Sequence, residues 1–161
     1  MTPDASAPVR VELRGFPLRA WQRAEEHHEE LMREFALLLL DRPAPGSVPQ
    51  RLVRLVEEVR DRYAASAEAP EAVREAALQR GDTHVDLVYE IPAAAGPQVA
   101  RLLALLEEAD EYCRRGEHLL TLATPPGTAA FRRWYLGEFV RQARGEAPLP
   151  WREDAEGTPS P

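Results

Sequence analysis

Between Gly81 and Ala93 the chain reads Gly81-Asp82-Thr83-His84-Val85-Asp86-Leu87-Val88-Tyr89-Glu90-Ile91-Pro92-Ala93. Successive side chains of an extended strand alternate, so Val85, Leu87, Tyr89 and Ile91 fall on one side and Asp86 and Glu90 on the other. Pro92 has no N–H with which to continue a ladder. The stretch predicts a strand over His84–Ile91 with one buried face. Such a strand needs a partner. The clearest second alternation is Val9-Arg10-Val11-Glu12-Leu13-Arg14, which predicts a strand ending near Gly15.

Outward from these strands the spacing is helical. Leu18, Trp21, His28, Leu31, Phe35 and Leu38 share one face of a long helix. Ser47-Val48-Pro49-Gln50 has the form of a capping box, opening a helix whose stripe is Leu52, Leu55, Val56, Val59 and Tyr63. Pro70 suits a first helical turn and predicts a separate, shorter helix closing near Gly81. From about Pro97, a helix carries Val99, Leu102, Leu106, Ala109 and Cys113 and ends at Gly116. His118–Ala123 is either a third strand or a stiff connector, and Pro125–Gly127 looks like a loop. Ala129 to about Ala143 is the last helix. The expected fold is a helix-dominated single α+β domain in the order β-α-α-α-β-α-(β)-α, its small two- or three-stranded sheet covered on one face by helices. The domain is expected over residues 9–145. Residues 1–8 and 146–161 are expected to be mostly disordered tails, the second anchored by Trp151.

Composition narrows the chemistry. With 161 residues and 44% apolar content, one core is expected. Twenty basic against 27 acidic side chains give a net charge of −7, which opposes general nucleic-acid binding. The sequence contains no lysine, excluding a Schiff-base or phosphate-loop lysine, and no asparagine for a kinase-type magnesium site. Cys113 is the single cysteine, so neither an intrachain disulfide nor a multi-cysteine zinc site can form. Phe35–Leu40 is far shorter than the ~20 apolar residues of a membrane span. The opening residues lack the basic start and apolar run of a signal peptide. A cytoplasmic location is expected.

Two constellations stand out. In Glu25-Glu26-His27-His28-Glu29-Glu30, Glu25 and His28 lie at i, i+3, a spacing that di-iron bundles use in pairs. No second Glu-x-x-His occurs, so neither a metal site nor any other cofactor is expected. His28 falls on the apolar seam, seven residues from both Trp21 and Phe35. Asp110 is a second polar residue on such a seam, and the two would meet if their helices packed together, raising the histidine pKa. Glu25, His28 and Asp110 are thus the candidate ligand- or proton-sensing residues. The other constellation is the last helix, where Phe131, Trp134, Tyr135 and Phe139 lie among arginines. Arg132, Arg133, Trp134, Tyr135 and Arg141 are the residue types enriched at binding hot spots and form the candidate partner interface. No serine sits in a nucleophile elbow, so no catalytic residue is assigned.

Taken together, Glu26-His27-His28-Glu29-Glu30-Leu31, Val85–Pro92 and Phe131–Gln142 resemble an uncharacterised group of small actinobacterial proteins. That group accompanies partner-switching stress regulators: anti-sigma kinases, their antagonists and the matching phosphatases. The resemblance covers about Val9 to Trp151 and carries no catalytic residue over. It implies an accessory role in stress or sigma-factor signalling. The chain lacks the kinases' magnesium-anchoring asparagine and any Asp-Ser-Gly phosphoacceptor. The expected function is a non-enzymatic regulatory protein that binds a protein partner, a second copy of itself included, with no nucleic acid and no membrane. The alternatives are a small-molecule or metal sensor near Glu25 and His28, and a carboxylate-based hydrolase.

Overall fold

The computed structural model describes residues 7–41, 44–116 and 122–153. Strand β1 (Pro8–Pro17) pairs antiparallel with β2 (His84–Pro92) in a two-stranded sheet. Four helices accompany it: α1 (Leu18–Leu40), α2 (Val48–Gln79), α3 (Ala95–Arg115) and α4 (Pro126–Ala143). Alternation sorts the strands as their sequences require. Val11, Leu13, Leu87, Tyr89 and Ile91 are buried, while Arg14, Asp86 and Glu90 are exposed.

The register carries one irregularity. Leu13 opposes Leu87, but Phe16 opposes Val85, so β1 holds one extra residue. Gly15 sits there at φ 64°, the left-handed conformation that a glycine bulge needs, and its N–H donates to Asp86 Oδ1 at 2.7 Å. The bulge turns Phe16 inward and lets β1 run on to Pro17, beyond its expected end at Gly15.

Helix α2 corrects the sequence reading. Where two helices were expected, one 32-residue helix runs through Pro70, giving the order β-α-α-β-α-α. An interior proline costs about 3 kcal/mol relative to alanine. Residues 64–69, Ala-Ala-Ser-Ala-Glu-Ala, offer no competing break, and packing grips the helix on both sides of the proline. Leu52 and Leu55 enter one core cluster, while Tyr63 and Ala77 pack with the other. The capping box also differs: Ser47 Oγ makes no hydrogen bond among the described residues, and Pro49 at the second helical position has no N–H to offer it. Gln50 instead accepts from the Gly46 N–H at 2.7 Å. Helix α4 begins a turn earlier than expected because Pro126 serves as a helix-starting residue rather than a loop. Of the candidate third strand His118–Ala123, residues 118–121 lie outside the described residues, and no strand is assigned at 122–123.

Two clusters form the core. One lies under the sheet around Phe16, Phe131 and Phe139; the other joins α1, α2 and α3 around Phe35, Leu52 and Leu106. Helix α4 packs on β1, α1 and α3. It approaches α3 so closely that a Cβ on Gly96 would stand 2.8 Å from the Ala143 Cβ. Among the described residues no helix is long and apolar enough to cross a membrane.

Candidate functional site

The seam between α1, α3 and α4 holds a buried polar cluster. Arg132 projects from α4 onto Asp110 of α3, and the pair is almost closed to solvent, with side-chain exposures of 11% and 6%. Thr124, just before α4, donates its hydroxyl to Asp110 and accepts from Arg132 at 3.2 Å. His27 completes the cluster, its Nε2 lying 3.1 Å from the Thr124 hydroxyl. Arg132 Nε is buried without a hydrogen-bond partner among the described residues.

It is His27, not His28, that reaches Asp110, through Thr124. One helical position is 100° of rotation, enough to exchange the two rings. The expected rise of the His28 pKa is overturned as well. Burial holds the His28 pKa below its ordinary value, and Arg60, His27 and Arg132 push it the same way. Burial lowers His27 too, against the opposing pull of Asp110. The charges that act on Glu25 are those of Arg74, Glu29, Arg60 and Glu71 rather than Asp110. The Glu25 carboxyl pKa is raised by desolvation against the attraction of Arg74, which itself lies over the Trp21 ring. Cys113, buried one turn beyond Asp110, has its thiol pushed up to about 11 by burial, which makes it a poor nucleophile. Among the described residues no three His, Cys, Asp or Glu side chains are grouped so that they could hold a metal ion.

The candidate interface residues of α4 are mostly engaged within the molecule. Arg132 is in the Asp110 pair. Tyr135 stacks on Phe131 at 5.7 Å, and Trp134 donates Nε1 to the Leu149 carbonyl at 2.9 Å. Arg141 donates to Glu138 at 2.5 Å and to Glu146 at 2.9 Å. Arg133 remains largely exposed, 3.5 Å from Glu107. The excess of large side chains on α4 is thus spent on a helix buried on several sides.

Glu138 and Gln142 were missed in the sequence. Glu138 is buried, accepting also from Gln142 at 2.9 Å and from the Leu149 N–H at 2.9 Å. The Gln142 amide pairs with the Glu12 backbone, accepting its N–H at 2.9 Å and donating to its carbonyl at 2.8 Å. Trp151 N–H donates to the Arg14 carbonyl at 2.9 Å, so residues 149–151 run beside the outer edge of β1. The seam rule that singled out Asp110 applies equally to Glu138, which follows Phe131 by seven residues and Trp134 by four.

This returning segment walls a groove of about 1080 Å³ whose other sides are the start of α1, the start of β2 and α4. Trp134 and Trp151 pack edge to face in it, centroids 5.3 Å apart. Arg19, Arg23 and Arg152 rim it, with His84 standing 3.8 Å from Glu153. None of these three arginines forms an ion pair among the described residues, whereas Arg51, Arg80 and Arg115 do. Comparison with known proteins found no matching family model, curated protein or solved structure.

Proposed function

We propose that the chain is a non-enzymatic, cytoplasmic regulatory protein that works by binding a protein partner, with the groove at Trp134 and Trp151 as its contact surface. The resemblance seen in the sequence would place that role in stress or sigma-factor signalling. One observation carries the reading: two tryptophans and three arginines without an ion pair among the described residues, residue types that concentrate binding energy, face a groove on an otherwise acidic chain. The polar cluster on the other side of α4 supports the same division of labour. Its carboxylate is held by Arg132 and Thr124, so its hydrogen-bonding capacity is absorbed by the fold.

The test compares wild type with Arg19→Glu/Arg23→Glu as baits in extracts of the native host. Both arginines are exposed, so the variant is expected to keep the wild-type circular dichroism and melting temperature. A specific partner retained by wild type and lost from the variant is the expected result. Equal recovery by both baits, or recovery by neither, would overturn the reading.

A further inference from the structure

Resting on that reading, we infer that the groove takes an acidic, extended segment of the partner protein. Its carboxylates would meet Arg19, Arg23 and Arg152, and one apolar side chain would lie against the tryptophans and Pro150. Charge is the first argument. Among the described residues that line the groove, three arginines face a single carboxylate, Glu153, on a chain whose net charge is −7. This local reversal of sign attracts carboxylates to the groove on an otherwise acidic chain.

Shape is the second argument. The groove is broad, and its rim residues Arg19, Arg23, Arg152 and Glu153 are all exposed, as suits an elongated guest rather than an enclosed small molecule. Its floor is firm. Trp134 is fixed by its bond to Leu149, and Leu149 in turn by its N–H bond to Glu138. Trp151 is fixed through its backbone to β1. A preorganised aromatic floor loses little side-chain freedom when a guest arrives. Arginine suits the rim because its planar fork engages a carboxylate through two parallel hydrogen bonds.

The experiment titrates the full chain with a capped decapeptide of Asp and Glu containing one central Leu, following tryptophan fluorescence. Saturable binding is expected, weakening as salt is raised. Arg19→Glu/Arg23→Glu should weaken it about tenfold or more, since removing rim charges slows encounter and reverses complementarity. A decapeptide with Asn and Gln in place of the acids should not bind. No saturable change, equal binding of the uncharged peptide, or stronger binding of ATP than of the acidic peptide would each overturn the inference. If the acidic peptide fails while Arg19→Glu/Arg23→Glu still loses a host partner, only the acidic character of the guest is refuted and the protein-binding reading stands.

Discussion

Helix α4 carries a buried polar network at each end, and the two are built differently. Toward its C-terminus, Glu138 accepts from Arg141, Gln142 and the Leu149 N–H, and Gln142 closes on both backbone groups of Glu12. That network terminates on main chain and fastens the 149–151 segment and the edge of β1 to the helix. Toward its N-terminus, Arg132 and Asp110 terminate on Thr124 and His27, and Arg132 Nε has no partner among the described residues. A network that ends on backbone is held in one arrangement. One that ends on an imidazole, with a donor unfilled, holds its charge more expensively and responds to pH. The first locates the groove wall; the second joins helices.

The largest effect should come from opening the more buried pair. Asp110→Ala strands the Arg132 guanidinium where it cannot turn to water, and urea unfolding should show a loss of about 3–5 kcal/mol. The double variant Asp110→Leu/Arg132→Met, which removes both charges and fills the space, should recover most of that loss. A double variant as unstable as the single one would mean that the pair itself is needed to hold α1, α3 and α4 together. Glu138→Ala should cost less, about 2–3 kcal/mol, because Arg141 is 29% exposed and can rotate outward. It should also release Leu149, so a red shift of tryptophan emission is expected to accompany the stability loss. An unshifted spectrum would break the link between this network and the groove wall.

The smallest effect is the pH response. His27 and His28 both have folded pKa values below the ordinary 6.5, so the unfolded chain binds protons first as pH falls. Their contribution is complete above pH 6.5 and is lost as pH drops toward the lowered folded values. Glu25 runs the other way. Its folded pKa lies above the ordinary 4.5, so its contribution is present below that value and is lost as pH rises through the folded one. Melting temperature should therefore fall from pH 7.5 to pH 5.5, and His27→Gln/His28→Gln should flatten that slope. An unchanged slope in this variant would show that the histidines do not titrate with unfolding.

The strands and the existence of most helices could be read from periodicity, because burial on one face leaves a pattern of two or 3.6 that survives without coordinates. Asp110 could be found as a polar residue on an apolar seam. Its partners could not. Thr124 lies in a connection with no periodicity, and the choice of His27 over His28 depends on the rotation of α1 set by packing against α2 and α4. Pro70 misled because a local helix signal says nothing about the tertiary contacts that carry α2 across it. The groove was equally invisible. It is assembled from four stretches separated along the chain, and Arg19, Arg23 and Arg152 look in sequence like any solvated arginines.

The most direct measurement sets the two groups of arginines against each other in the acidic-peptide titration. Asp110→Leu/Arg132→Met, which removes the internal pair, should bind the decapeptide as wild type does, whereas Arg19→Glu/Arg23→Glu should stay folded and fail to bind. Binding lost in the folded internal variant and retained in the groove variant would contradict the division between an internal scaffold pair and a binding groove.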